Sequence, residues 1–202
     1  MRALLAILLA GLLASPAMAA TPVGAVSRVQ GACSGTVEGT TRTLIADAPV
    51  HLAEEIVTGA GARLAVALDD GTVLTLGENA RLVIDAFVYD PEGASSLSAA
   101  VSGAFRYVSG ALAPDASRAA TVTTPVAVIA VRGTSFWGGP IDGGFGIALF
   151  EGSISVTSGG VTTVLEAPGS GVNLPAVGGP PGPVTIWPSE KVERAAATVT
   201  FE

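Results

Sequence analysis

The chain has 202 residues, 49% hydrophobic and 13% charged, with 26 glycines and 13 prolines, enough for one domain with a real core. Seventeen acidic residues against ten basic ones give a formal charge of −7, and a surface of that sign repels phosphate backbones, so nucleic acid is excluded as an expected partner. One cysteine, Cys33, and one histidine, His51, rule out an internal disulfide and leave too few ligands for a zinc site without clustered carboxylates.

Residues 1–19 read as a cleavable signal peptide. Arg2 supplies the positive start, Ala3 to Ala14 the apolar run, and Ala17-Met18-Ala19 the small-x-small cleavage pattern. The pattern predicts export to the periplasm and a mature chain beginning at Ala20. No later stretch approaches the roughly 20 apolar residues of a membrane span, so no transmembrane anchor is expected. Gly31-Ala32-Cys33 is similar to the end of a lipobox, but it lies behind the polar Ser27-Arg28-Val29-Gln30, well past the apolar run, and lipidation is not expected.

Beyond the leader, glycines and prolines punctuate short apolar runs, which predicts many short strands. In "ARLAVALDDGTVLTLG", Leu64, Val66 and Leu68 share one face, Asp69-Asp70-Gly71-Thr72 forms a turn, and Leu74 and Leu76 return opposite Val73 and Thr75; this is a β-hairpin. Gly77-Glu78-Asn79 supplies the next turn and "ARLVIDAFVYD" the next strand. Ala62-Arg63-Leu64-Ala65-Val66 is echoed by Ala80-Arg81-Leu82-Val83-Ile84, which suits strands in like environments. Further strands are predicted in "SLSAAVSG", "GAFRYVSG", "TPVAVIAVRG", "FGIALFEGSISVTSG" and "VTTVLEAPG", with one longer loop over Ala111 to Ala120.

From Ala167 to Pro188 the composition shifts, and Pro180, Pro181 and Pro183 forbid a central strand; a mostly extended tail is expected. "PSEKVERAAATV" predicts a short helix with Ser189 as its N-cap. The expected fold is all-β, with short antiparallel strands in a two-layer sandwich or a solenoid-like coil and a short C-terminal helix. Its parts are a signal peptide (1–19), a β domain (20–172), and a Pro/Gly-rich tail with the helix (173–202).

Chemistry is hard to assemble from these residues. A Ser-His-Asp set would need His51 as base, standing alone beside an apolar strand. Glu54-Glu55 and Asp69-Asp70 are adjacent pairs whose members point to opposite strand faces, and both read as turn-capping, solvated residues. No catalytic residue, metal ligand or cofactor is expected.

Three blocks in order carry a family resemblance. Ile56-Val57-Thr58-Gly59 leads to Asp70-Gly71-Thr72. Thr124, Pro125, Ala127, Val131, Arg132, Gly133, Thr134 and Phe136 form the second block. Leu149, Glu151, Gly152, Ile154 and Val156 form the third. From Val23 to Val172 the chain resembles the FecR domain, the periplasmic module of regulators of the ferric-citrate type. The resemblance implies an all-β domain with a signalling or scaffolding role. It also implies structural roles for Thr58, Gly59, Asp70, Gly71, Thr124, Pro125, Arg132, Gly133, Thr134, Glu151 and Gly152. Arg132-Gly133-Thr134 is expected at a strand boundary, with partner contact as the alternative role for Arg132. Full regulators of that type carry a cytoplasmic anti-sigma segment, a transmembrane helix and a C-terminal module. Here a leader stands in place of the first two, so direct inhibition of a sigma factor is not expected.

The functional expectation is a non-enzymatic periplasmic protein that acts through contacts with another envelope protein, as a regulatory or signalling accessory. The alternative is a module that binds envelope glycan or another small ligand, with Trp137 and Trp187 as the candidate stacking aromatics.

Overall fold

A computed structural model describes residues 20–90, 95–110, 118–174 and 177–202. The expected signal peptide and residues 111–117 of the expected long loop lie outside the described residues.

The chain opens with β1 (Pro22–Gln30), β2 (Cys33–Val37), β3 (Thr40–Thr43), β4 (Pro49–His51) and β5 (Glu55–Thr58). The predicted hairpin follows as β6 (Arg63–Leu68) and β7 (Val73–Leu76). Its alternation is the reason: Leu64, Val66, Leu68, Leu74 and Leu76 are all buried, as a pleated ribbon with one covered face requires. Next come β8 (Arg81–Val88), β9 (Ser95–Ser102), β10 (Phe105–Val108), β11 (Arg118–Thr123), β12 (Val128–Ile141) and β13 (Gly144–Ser158). The chain closes with β14 (Val161–Leu165), β15 (Ser170–Leu174), β16 (Thr185–Ile186) and α1 (Ser189–Ala197).

The long β12–β13 hairpin organises everything else. The two strands pair along nearly their whole length, but their outer edges change neighbours halfway. Residues 128–131 of β12 pair with β11, whereas 135–138 pair with β10. Likewise β13 pairs with β14 through residues 154–158 and with β15 through 145–148. Two arms result. One runs β3-β2-β5-β8-β9-β11 and the other β4-β1-β6-β7-β10, and both join the same hairpin.

Their inner faces share one core, in which Ile56, Leu82, Ile84 and Val122 of the first arm meet Leu64, Val66, Leu74 and Phe105 of the second, with Ile129 and Phe136 contributed by β12 of the hairpin. Phe136 stacks on Tyr107 with centroids 5.4 Å apart and meets Phe105 edge-on at 5.7 Å. The expected choice between sandwich and coil thus resolves into one curled sheet, a half-barrel whose arms form the two layers. The 62–66 and 80–84 echo falls on β6 and β8, one strand in each arm, with matching buried positions.

Three local expectations need correction. Residues 118–120, expected in a loop, begin β11, which pairs with β9 in parallel. The intervening β10 belongs to the other arm, so the chain makes one coil-like turn there. Ser170–Leu174, expected in an extended tail, is a paired strand. Ser189 is the first helical residue instead of the N-cap. Pro188, extended at ψ 145°, takes that place without a side-chain bond, and its carbonyl accepts the N–H groups of Lys191 and Val192.

The helix covers the outer face of the β12–β13 hairpin, where Trp137, Trp187, Ala148, Ala195 and Val199 form a second cluster. Among the described residues no helix is long and apolar enough to cross a membrane.

Candidate functional site

Thr58 ends β5 and Gly59 follows it. The Thr58 hydroxyl donates to the Gly77 carbonyl at 2.6 Å and accepts the Ala80 N–H at 2.9 Å. The Gly59 carbonyl accepts the N–H groups of Ala62 and Asn79. These bonds tie the first arm to the chain entering and leaving the β6–β7 hairpin of the second.

Asp70 and Gly71 shape the hairpin turn. The Asp70 carboxylate accepts the Thr72 N–H at 2.9 Å and its hydroxyl at 2.7 Å, and Gly71 takes φ +82°, where a side chain is disfavoured. Asp70 is buried, which corrects the expectation that both aspartates are solvated; only Asp69 is exposed. Thr124 and Pro125 make the turn from β11 to β12, with the Thr124 hydroxyl accepting the Ala127 N–H at 3.0 Å.

Arg132-Gly133-Thr134 is not a strand boundary. It is a bulge inside β12, at the point where the register against β13 shifts between Arg132 and Ser135. A bulge bends the strand and increases its twist, and this is where β12 leaves β11 for β10. The Thr134 hydroxyl donates to the Ser153 carbonyl at 2.8 Å, and its N–H donates to the Ser109 hydroxyl at 2.9 Å. Gly133 and Gly152 both adopt left-handed φ. Glu151 and Arg132 are exposed. The motif residues therefore do not converge on one pocket. They pin the curled sheet at separate points.

Sequence reasoning missed one buried polar cluster. Glu54, read as a solvated turn residue, has a fully buried side chain. Its carboxylate accepts Arg42 Nη2 at 2.8 and 3.0 Å and the His51 N–H at 3.0 Å, with His51 Nδ1 at 3.1 Å. Gly35 makes room for it, since a Cβ there would collide with Glu54 Oε1. Its neighbour Glu55 points outward and pairs with Arg81. Cys33 is also buried, and burial pushes its thiol pKa up. Among the described residues no group of His, Cys, Asp and Glu could hold a metal ion.

The two tryptophans are inside. Trp137 is 0% and Trp187 4% exposed, their rings meet edge to face at 6.3 Å, and Trp137 Nε1 donates to the Thr198 hydroxyl at 2.9 Å. Neither ring is open as a stacking platform, because the C-terminal segment covers both.

What the surface does present is unpaired positive charge. Arg42, Arg81, Lys191 and Arg194 have carboxylate partners, whereas the exposed Arg28, Arg106 and Arg132 have none among the described residues. Arg106 lines a cleft of about 400 Å³ with Thr75, Phe150, Val199, Thr200 and Phe201. Nothing local in the sequence marked Arg28 or Arg106, because only the sheet sets them on one face.

The family model described as FecR protein matches residues 54–155. No curated protein matches the chain significantly. Two crystal structures of a candidate anti-sigma factor from Parabacteroides distasonis ATCC 8503, at 1.65 and 2.50 Å resolution, each align with a TM-score of 0.56 at 20% identity, over 69% of this chain and 62% of that one. The chain thus spans less than two thirds of the length of that protein, and the likeness is one of fold.

Proposed function

The chain belongs to the FecR family, and from that premise we propose that it serves regulation or signalling in the periplasm, without catalysis, through contacts with another envelope protein. Family membership supports the regulatory role. The contact reading is carried by one observation. In a chain with seven more acids than bases, three exposed arginines are left without an acidic partner among the described residues, and a guanidinium offers a planar fork of donors suited to a partner's carboxylates. The glycan alternative has no comparable support, since both candidate stacking rings are covered.

The test is affinity capture from envelope fractions with the mature chain from Ala20 as bait. A discrete protein retained at low salt and released as ionic strength rises is expected, because exposed charge contacts are screened. Retention on purified peptidoglycan with no protein captured would replace this reading with the glycan one. N-terminal sequencing of the exported protein checks the location, with Ala20 expected first.

A further inference from the structure

We propose that an extended acidic segment of the partner protein binds along the C-terminal segment, with one carboxylate on Arg106 in the cleft and another on Arg28, which lies outside the cleft on the same face of the sheet. The inference rests on the protein-contact reading above and names the surface that would serve it.

Strand register sets the frame. Arg28 lies opposite Ala65, Ala65 opposite Thr75, Thr75 opposite Arg106, and Arg106 opposite Trp137. One rung therefore crosses β1, β6, β7, β10 and β12 with an arginine on the first and fourth strands. The C-terminal segment is fastened across this rung at both ends. At one end the Thr198 hydroxyl accepts Trp137 Nε1. At the other, Phe201 lies under Arg28 and the Glu202 N–H donates to Gln30 Oε1 at 3.0 Å.

Both guanidiniums are held without being consumed. Arg28 lies over the Phe201 ring at 4.4 Å and Arg106 over the Phe150 ring at 5.5 Å. Stacking on an aromatic face positions the planar group and leaves its edge donors free. Among the described residues Arg106 donates one hydrogen bond, to the Ser135 hydroxyl at 3.2 Å. Among the described residues no carboxylate lines the cleft, although acids outnumber bases in the chain as a whole. Phenylalanine rings, Val199 and the hydroxyls of Thr75 and Thr200 complete the walls, which suits a peptide more than a bare ion.

Spacing selects the form of the ligand. Three inter-strand steps of about 4.8 Å separate the two arginine positions by about 14 Å. An extended peptide rises about 3.4 Å per residue and returns to the same face every second residue, so carboxylates at i and i+4 span about the same distance. A small dicarboxylate cannot bridge it.

The experiment uses the mature chain and fluorescein-labelled octapeptides of threonine and valine, followed by anisotropy at low ionic strength. The peptide with glutamates at its second and sixth positions is expected to bind. Replacing both by glutamine should abolish binding, and keeping one should weaken it about tenfold, the scale of a single charge-assisted contact. Arg106→Ala and Arg28→Ala should each cost about tenfold, with Arg106→Lys intermediate and circular dichroism unchanged. Arg132→Ala, which removes an equally unpaired arginine elsewhere, should have no effect. No binding, equal binding of the glutamine peptide, equal loss in Arg132→Ala, or full competition by equimolar inorganic phosphate would each overturn the assignment. Envelope capture with an Arg28→Glu, Arg106→Glu double variant separates the two levels. Undiminished capture of the wild-type partner overturns the cleft alone, whereas a wild-type bait that captures no protein overturns the protein-contact reading beneath it.

Discussion

Gly152 backs directly onto Gly133: a Cβ on Gly152 would collide with the Gly133 carbonyl oxygen and lie 2.7 Å from the Thr134 hydroxyl. The two glycines face each other across the β12–β13 ladder at φ +78° and +56°. Their bulge is the bend at which β12 exchanges one arm of the sheet for the other, so the half-barrel depends on two residues that carry no side chain.

Gly152→Ala is therefore expected to cost about 3 kcal/mol, combining left-handed strain with a collision against backbone that cannot swing away. Gly133→Asn should cost less than about 1 kcal/mol, since asparagine tolerates left-handed φ. Urea unfolding curves for the two variants check the order. Equal midpoints would mean that the bulge relaxes freely and does not set the bend.

Arg42→Ala is expected to destabilise the end of the first arm by about 1.5–3 kcal/mol, the usual worth of a hydrogen bond to a buried charged group. Among the described residues Arg42 supplies the only full positive charge bonded to the Glu54 carboxylate, and His51 alone would remain. The double variant Arg42→Ala, Glu54→Gln should recover part of the loss, because no uncompensated charge stays buried. If the single and double variants unfold at the same urea concentration, the ion pair is not what holds Glu54 inside.

How much of this was legible in the sequence follows from how local each feature is. Leu64 to Leu76 announced their hairpin because period-two burial and an Asp-Gly turn are written in adjacent residues. Thr58, Asp70 and Thr124 were legible as turn positions, since each bonds backbone near a turn. The β12 bend did not read, because Arg132-Gly133-Thr134 looks like an ending until β10 and β11 are seen sharing one edge. Nor did Glu54, whose burial depends on Gly35 and Arg42 arriving from two other strands. Arg28 and Arg106 are unremarkable surface residues until five strands of register place them on one rung.

Acid should loosen the C-terminal helix. Hydrogen bonds from Lys191 and Arg194 hold the Asp142 carboxyl below its ordinary pKa, with ion pairs at 2.8 and 2.9 Å. The unfolded chain then takes up the proton first as pH falls. The pair's stabilisation is thus complete above the ordinary aspartate pKa of about 3.9 and is lost as pH drops through the lower folded value. Lys191 Nζ also lies 4.1 Å from the Trp187 ring centroid, so the loosening should appear as a red shift in indole emission on acidification. Asp142→Asn should shift the emission already at neutral pH and flatten the acid response. An unchanged acid response in that variant would place the sensitivity elsewhere.

Trp187→Ala should release the C-terminal segment while leaving the half-barrel folded. The indole fills a slot between strands β13 and β15 that exists only because Gly146 and Gly171 lack side chains; a Cβ at either would lie within 2.6 Å of the ring. Truncating a buried tryptophan costs about 3–5 kcal/mol, but that loss falls on the outer cluster, since the main core contains no residue of the C-terminal segment. Urea unfolding should acquire an early step, and protease should cut beyond Pro188 faster, with the strand circular dichroism unchanged. Trp187→Phe should behave nearly as wild type, because the indole Nε1–H of Trp187 is buried without a hydrogen-bond partner among the described residues and losing it leaves nothing unpaired. Gly171→Val should reproduce Trp187→Ala by filling the slot from the other side. Val199, Thr200 and Phe201 wall the arginine cleft, so both releasing variants should also lose the diglutamate peptide while Trp187→Phe keeps it. A single cooperative collapse of the whole sheet in Trp187→Ala would show that the outer cluster and the core are one unit.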